Sequence, residues 1–434
     1  MKPFLKVLAF TGFVFLLFSC SHENPSQPSD ESPRPEIEVS EIPLEDALTS
    51  LQEFMSDAYP EKLTKAGSFE SLIESVAVHQ SKTSLTKVGT PTIDAYIVNF
   101  IDDGGFAVLG AKTDLGDIIA VTEGGSITPK EIDSAYDCTS GREEVLFYDE
   151  EGNAYTSYYC EEDDDYYCAG NFCLPVLIYN ALDSDSSGRM GSGGSGSGGS
   201  GLRAVAPLLK TRWSQGQYHE SGVYNKYCKV LGNNMYTGCS TTALAQIIAY
   251  NRFPERIRGI KMDYENITSV YNAYYLDDCY AEQVSILFGD IFDFVSKASG
   301  SFWTMITPEQ IKIRMKSYGY KNVDKINGGK EFSRNMLNDV SNMLCDGKPV
   351  FFSALPFNIF KGHSWVIDGA MYSSNREYLL HFNFGWSGSC NGYFSPSCMN
   401  PAKSYGYDMN NNLETLSDHD HRYKQHYRMI TYDF

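Results

Sequence analysis

An α+β fold in two successive domains is predicted by three features of this 434-residue sequence. The chain is too long for one typical domain, since domains of about 100 to 150 residues are the commonest. Segments with the apolar periodicity of helices stand beside short apolar runs of strand length. A turn at Asp103-Gly104-Gly105 between two of those runs is typical of an antiparallel β-hairpin.

The first half is predicted to contain one helix and three strands. Apolar residues recur at helical spacing from Leu44 to Met55, and Pro43 marks the start of this helix. The strand candidates are Ala95–Phe100, Phe106–Leu109 and Ile118–Val121. No catalytic cluster is evident in this half, which indicates a small α+β domain without chemistry of its own.

The second half is predicted to be another α+β domain, whose last two strands form an antiparallel hairpin. Its helix candidates are Thr241–Tyr250, Pro308–Tyr318 and Phe332–Leu344. Its strand candidates are Pro349–Ser353, Ser364–Asp368 and Glu377–Asn383.

Charge divides the chain in the same place. The net charge is −20, but the first 200 residues carry 11 basic and 34 acidic side chains, whereas the remainder carry 24 and 21. There is no basic stripe, so nucleic acid is excluded as a partner class. The acidic charge either keeps the first half soluble or sits against a partner surface that is locally positive.

The N-terminus is typical of an export signal. Lys2 and Lys6 precede a short apolar run, Leu8–Phe18, which is too short to span a bilayer. Leu17-Phe18-Ser19-Cys20 then matches a bacterial lipobox, which predicts a signal peptide over residues 1–19 and lipidation of Cys20. Residues 20–35 become a tether, and the lipid attaches the exported chain to a membrane or cell surface. The alternative is an ordinary secretory signal.

A Gly/Ser-rich linker separates the acidic half from the nearly neutral one. We assign residues 36–188 to an acidic pro-domain, 189–203 to a processing linker and 204–434 to a catalytic domain. Arg189 and Arg203 flank the linker and are the predicted cleavage targets of a processing protease. Cutting there would free the catalytic domain from the lipid anchor.

The 11 cysteines suit an oxidising compartment, and their disulfide connectivity stays open. Cys390 and Cys398 lie close together near the C-terminus. Another group clusters in the acidic half, at Cys138, Cys160, Cys168 and Cys173. Their spacing is not that of a zinc site, so no metal ligands and no cofactor are predicted.

Cys239 is the candidate nucleophile and His363 its candidate base. Cys239 follows Gly238 at the first turn of a buried helix, where free N–H groups and the helix dipole are expected to lower the pKa of its thiol. The alternative is a small cysteine in the core. His363 stands at the entry to an apolar strand, and its imidazole can take the thiol proton and later protonate the leaving amine.

Four further residues complete the predicted site. Hairpin pairing is expected to bring the side chain of Asn383 to the outer nitrogen of His363, where an amide oxygen would fix the tautomer. Trp386 and Phe384 are expected to shield that hydrogen bond from water. Gln215, upstream, is expected to join the backbone N–H of Cys239 in binding the developing oxyanion.

These motifs resemble the streptopain family of bacterial papain-like cysteine proteases. Trp213-Ser-Gln215 is similar to the family's Trp-x-Gln segment, and Gly238–Gln246 to its Gly-Cys-x-x-Thr-Ala-x-Ala-Gln. Gly362–Gly369 is similar to its Gly-His-x-x-Val-Ile-Asp-Gly. The family's Asn-Trp-Gly-Trp-Gly-Gly is matched by Asn383-Phe-Gly-Trp-Ser-Gly388, in which Phe384 replaces the first tryptophan. The resemblance implies a papain-like catalytic domain with an antiparallel sheet and a buried active-site helix, preceded by an inhibitory pro-domain.

The predicted function is therefore that of an exported cysteine endopeptidase zymogen. It would hydrolyse protein or peptide substrates through an acyl-thioester on Cys239, with its own pro-domain as intramolecular inhibitor. Two alternatives stay open: a Cys-His amidase acting on cell-wall peptides, and a catalytically inactive surface-binding lipoprotein.

Overall fold

The residues that a computed structural model describes all belong to one of two contact units, Val39–Phe434. The other unit, Met1–Glu38, falls outside the described residues. The described ranges are 40–80, 93–137, 143–148, 154–159, 177–178, 181–182, 203–216, 221–230, 232–299, 307–329, 332–354, 363–373, 375–399, 405–407, 413–415 and 427–434.

The helices of the described residues differ widely in length, from four residues to 22. In chain order they are α1 (Leu44–Ala58), α2 (Pro60–Ala66), α3 (Pro129–Asp137), α4 (Cys239–Asn251), α5 (Tyr264–Ile267), α6 (Asp278–Ser299), α7 (Pro308–Tyr318) and α8 (Arg334–Cys345). Within the described ranges, none is long and apolar enough to cross a membrane.

The strands fall into one large sheet and several two-stranded ribbons. They are β1 (Ile73–His79), β2 (Ala95–Phe100), β3 (Phe106–Gly110), β4 (Ile118–Thr122), β5 (Glu143–Tyr148), β6 (Ala154–Tyr159), β7 (Lys229–Val230), β8 (Asn233–Asn234), β9 (Arg256–Ile257), β10 (Ile260–Lys261), β11 (Lys321–Gly329), β12 (Val350–Ala354), β13 (His363–Tyr372), β14 (Tyr378–Asn383), β15 (Gly392–Phe394), β16 (Tyr405–Tyr407), β17 (Leu413–Thr415) and β18 (Tyr427–Asp433).

The large sheet has ten strands in the order β1-β2-β3-β4-β15-β14-β13-β12-β18-β11, and its pairs are antiparallel. The acidic half supplies the first four strands and the second half the other six. The two groups meet where β4 pairs with β15, with Tyr393 opposite Val121. The sheet therefore continues across the sequence boundary at which the composition changes.

Local sequence explains the elements that matter for the site. α1 buries Ala47, Leu51, Phe54 and Met55, which is the apolar stripe expected from their spacing. α4 is buried along nearly its whole length and packs against β13, which explains why its apolar residues are not confined to one face. β13 and β14 are almost entirely buried, which fits their mainly apolar composition.

Two apolar cores lie against the sheet. The smaller one is formed mainly by α1 and one face of β2–β4, and includes Leu379 and Tyr393 from the second half. The larger one contains α4, α6 and the second-half strands, and includes Ile97 and Val108 from the acidic half. The strands of the acidic half thus contribute to both cores, and apolar burial holds the two halves together.

The predicted α+β class and its antiparallel sheet are confirmed. The hairpin of β13 and β14 forms as expected, with Tyr372 opposite Tyr378. That the strands of the acidic half extend the sheet of the second half was not predicted. Residues 1–19, the tether and most of the linker fall outside the described residues.

Candidate functional site

Cys239 begins helix α4. Gly238 precedes it with a φ of 81°, a left-handed conformation that favours glycine, and provides no side-chain cap for the helix. The first N–H groups of a helix have no acceptor within it, so those of this turn are directed toward the space before Cys239. Unlike the residues that follow it in α4, Cys239 is only partly buried.

The first turn of α4 contacts the first residues of β13. The thiol of Cys239 is hydrogen-bonded with Ser364 and Ser240. The hydroxyl oxygens of those two serines are 2.9 Å apart. Ser364, which contacts the helix beside Cys239, directly follows His363 in the chain. The candidate nucleophile and the candidate base therefore lie on either side of this helix–strand contact.

The imidazole of His363 lies in an aromatic pocket. Its Nε2 is 3.1 Å from the carbonyl oxygen of Phe384, which can only accept, so Nε2 carries the proton and Nδ1 has the lone pair. The ring centroids of His363 and Trp386 are 4.6 Å apart. His363 and Phe384 are buried and Trp386 partly so, which means that both predicted shielding residues contact the ring.

His363 and Ser364 point to opposite faces of the sheet, since successive side chains of a strand alternate. Ser364 faces α4, as its bond with Ser240 shows. The ring of His363 is instead stacked on Trp365, the next side chain on its own face, with centroids 6.0 Å apart. The imidazole and the thiol therefore belong to adjoining positions of this contact, and the ring packs against Trp365 and Trp386.

The pKa values of both groups correspond to neutral forms. Burial raises the pKa of the Cys239 thiol, against the opposing hydrogen bonds from Ser364 and Ser240. Burial also lowers the pKa of His363 to about 4, although the Phe384 carbonyl acts in the other direction. The predicted lowering of the thiol pKa is thus wrong for the intact chain, because loss of hydration outweighs the hydrogen bonds from Ser364 and Ser240.

Asn383 does not have the role predicted for its side chain. Its Oδ1 accepts from Gln246 and from the N–H of Gly385, and its Nδ2 donates to the carbonyl of Thr211. The hairpin register explains this, since Asn383 is opposite Val366, three residues beyond His363 and so on the other face. The carbonyl of Phe384 takes the place that the sequence assigned to the amide.

Gln246 is a residue whose role the sequence analysis missed. It is fully buried two turns after Cys239, and its Oε1 accepts from the hydroxyl of Thr211 and the N–H of Trp213. Together with its bond to Asn383, this ties α4 to the two segments that flank the site. The motif match at Gln246 was the available signal, but the side chain has no reactive group that would single it out.

Gln215 lies in the segment that Gln246 anchors. It is partly buried, and its carbonyl accepts from the N–H of Thr237 at 3.0 Å, two residues before Cys239. Its backbone is therefore held close to the start of α4. The oxyanion role of its side chain stays a prediction.

Gly385 allows the turn after Phe384 to approach α4. Its φ is +74°, and a Cβ added there would meet Cγ2 of Thr242 at 2.9 Å, which is closer than real Cβ contacts. Glycine is thus required at this point both for the backbone conformation and for the close contact. The same turn presents the Phe384 carbonyl to His363.

The remaining predicted residues divide between described and undescribed parts of the chain. Arg203 is exposed, but its carbonyl accepts from the hydroxyl of Tyr378 and Val205 bridges Ala370, so this end of the linker is tied to the sheet. Cys390 and Cys398, whose pairing the sequence left open, are buried free thiols. Three other predicted sets lie outside the described residues: Cys20, Arg189, and Cys138, Cys160, Cys168 and Cys173. Among the residues with described positions, no three His, Cys, Asp or Glu side chains are grouped to hold a metal ion.

Comparison with known proteins places these residues in a family. The model of the Peptidase C10 family matches residues 213–281 and 257–394, a span that contains both Cys239 and His363. The thiol protease/hemagglutinin PrtT of Porphyromonas gingivalis is 25% identical over 240 residues, which are 46% of this chain and 25% of that protein. Streptopain of Streptococcus pyogenes serotype M1 is 25% identical over 201 residues, 40% of this chain and 48% of that protein.

Two solved structures from Prevotella intermedia are also similar. A prointerpain A fragment covers 82% of this chain and 98% of its own, with 16% identity and a TM-score of 0.46. Active interpain A covers 52% and 93%, with 20% identity and a TM-score of 0.37. The chain spans less than half the length of the two relatives named above. Residues 213–394 thus match the Peptidase C10 family, and the chain that carries them is streptopain-like.

Proposed function

We propose that the chain is the exported precursor of a cysteine endopeptidase, with Cys239 as nucleophile and His363 as general base. The observation that supports it most is the contact between the first turn of α4 and the first residues of β13, because it joins the neighbourhoods of both groups. The Peptidase C10 match spans the same two elements.

The chemistry follows from the groups at this contact. Nδ1 of His363 takes the proton of the Cys239 thiol, and the thiolate attacks the carbonyl carbon of a peptide bond. The oxyanion that develops accepts from the N–H of Cys239 and the side-chain amide of Gln215, each worth roughly 3 kcal/mol of barrier. The imidazolium then protonates the leaving amine, and water hydrolyses the acyl-thioester to free the thiol and the carboxylate product.

The intact chain is proposed to be latent. Its thiol and imidazole are both neutral, and the ring of His363 packs among aromatic side chains. Proton transfer requires Nδ1 of the ring to face the sulfur. The acidic half shares the sheet with β13 and β14, so its removal exposes apolar surface beside the site and lets that region rearrange.

Export and anchoring are part of the proposal through Cys20 and the signal that precedes it. The lipid would hold the precursor at a membrane, and cleavage between Arg189 and Arg203 would release the catalytic part. Proteins and peptides are the proposed substrates, and the acidic half is the proposed inhibitor.

Limited digestion in the linker tests this proposal. Casein hydrolysis is measured for the intact chain and after cleavage between residues 189 and 203, in wild type and in Cys239→Ala. We expect turnover to rise from background to a clear rate in wild type only. Equal turnover before and after cleavage would refute an inhibitory acidic half, and turnover that survives Cys239→Ala would refute the nucleophile. Release of cell-wall fragments from peptidoglycan without casein turnover would favour the amidase.

A further inference from the structure

A buried carboxylate joins the acidic half to the second half of the chain. Glu123, just after β4, places Oε2 2.7 Å from Nη2 of Arg212 and Oε1 3.3 Å from Nε2 of His381. Its N–H donates to the carbonyl of Asn391 at 2.6 Å. The side chain of Glu123 is only 12% exposed, so its charge is largely removed from water and depends on these partners.

On the second half of the chain, His381 is held as a cation by Asp368. Nδ1 of His381 is 2.7 Å from Oδ1 of Asp368, whose Oδ2 accepts from the N–H of Leu209. Burial alone would lower the pKa of His381, but the charge and hydrogen bond of Asp368, with those of Glu123, raise it to about 9. His381 is therefore an imidazolium at neutral pH, held rigidly by Asp368 and directed toward the acidic half.

The pKa of Glu123 shifts in the complementary direction. Burial would raise it, but the hydrogen bond and charge of His381, with the charges of Arg212 and Lys62, lower it. The Nζ of Lys62 donates to the carbonyls of Gly104 and Glu123, so this cation belongs to the acidic half itself. The two cations that reach the Glu123 carboxylate from the second half are Arg212 and His381.

A cavity of about 410 Å³ adjoins these groups. Its charged lining consists of three basic side chains, Lys210, Arg212 and His381, and one acidic side chain, Glu123. Asn383 also lines the cavity. Asn383 is also bonded to Gln246 of α4, which connects the cavity wall to the helix that begins at Cys239.

We propose that Arg212 and His381 form a carboxylate-binding site on the second half of the chain, which Glu123 fills in the intact chain. Without Glu123 the site retains two cations, Arg212 and His381, against the single carboxylate of Asp368. After the acidic half leaves, the site takes the acidic side chain of a protein or peptide. Only this last step rests on the proposed function.

Chemical rescue in the intact chain tests the site without any activity assay. Glu123→Ala removes the side chain beyond Cβ, and propionate supplies the lost carboxylate on a short alkyl chain. We expect the melting midpoint to fall by about 3 °C or more. Propionate should then restore at least half of that loss, whereas propionamide at equal concentration and ionic strength should not. Glu45→Ala, which removes an exposed carboxylate on α1, is the matched control and should show neither effect.

Three outcomes overturn the proposal: equal effects of propionate and propionamide, equal effects on wild type and Glu123→Ala, and rescue that survives the added change Arg212→Ala. If Glu123→Ala does not fold, Glu123→Gln keeps the shape of the side chain and is compared with Glu45→Gln. A lower urea midpoint for Glu123→Gln supports the site, and equal midpoints overturn it.

Discussion

Replacing His363 with alanine is expected to lower casein hydrolysis by the cleaved chain about 1,000-fold, the size of a lost general acid–base catalyst. The imidazole acts twice, first by accepting the proton of Cys239 and then by protonating the leaving amine, so no other described side chain at this contact replaces it. The measurement is kcat/KM for casein or a fluorescent peptide after cleavage in the linker.

The loss of activity supports a catalytic role of His363 only if the His363→Ala variant is still folded. His363→Ala should keep the urea midpoint of the wild type within the effect of losing one buried ring, and Cys239 should still react with a thiol reagent at alkaline pH. A variant that keeps more than a tenth of the wild-type rate would remove His363 from the mechanism.

Asp368→Ala is expected to have the largest effect on stability, with a loss of 3 to 5 kcal/mol as an order of magnitude. The side chain is fully buried, and its removal leaves the His381 imidazolium without its closest counter-charge and the N–H of Leu209 without its acceptor. Urea unfolding measures the loss. Asp433→Asn is the control, because this exposed carboxylate pairs with Lys348 at the surface and should change the midpoint little.

The stabilisation through His381 should depend on pH. Its pKa in the folded chain is about 9, above the ordinary value of 6.5, so the contribution is fully present below pH 6.5 and is lost as the pH rises through 9. The difference in midpoint between wild type and Asp368→Asn should therefore shrink between pH 6.5 and 9. A difference that stays constant over this range would show that His381 is not the titrating partner.

Local sequence was sufficient for the elements that carry the site. The helix predicted at Thr241–Tyr250 is α4, Cys239–Asn251, and the hairpin strands predicted at Ser364–Asp368 and Glu377–Asn383 are β13 and β14. These segments are rich in apolar residues and almost entirely buried, so their pattern depends little on distant partners.

The extension of the sheet was beyond local sequence. β15 has three residues, Gly392–Phe394, and its partner β4 lies some 270 residues earlier in the chain. A strand this short has no periodicity to recognise, and its pairing follows from how the two halves pack. β18 was also not predicted, and it follows a polar stretch of the sequence that contains several histidines.

The side-chain roles at the site needed the register of the hairpin. The order of His363 and Asn383 along the chain suggested a direct hydrogen bond, but a difference of one residue in register moves a side chain to the other face of a sheet. Asn383 pairs with Val366 and so joins the network of Gln246, while the backbone of Phe384 reaches the imidazole. The spacing of the motifs therefore predicted which segments meet at the site, whereas the alternation of side chains along the strands determines which groups are in contact.

Cleavage in the linker is expected to let His363 ionise the thiol of Cys239. The pH profile of alkylation of that thiol tests this expectation most directly. The rate at which iodoacetamide modifies Cys239 is followed by peptide mass spectrometry, which separates it from exposed Cys279 and Cys345. We predict reaction only at alkaline pH in the intact chain, rapid reaction near pH 6 after cleavage, and a return to the alkaline profile in cleaved His363→Ala. The same profile with and without His363 in the cleaved chain would contradict the account.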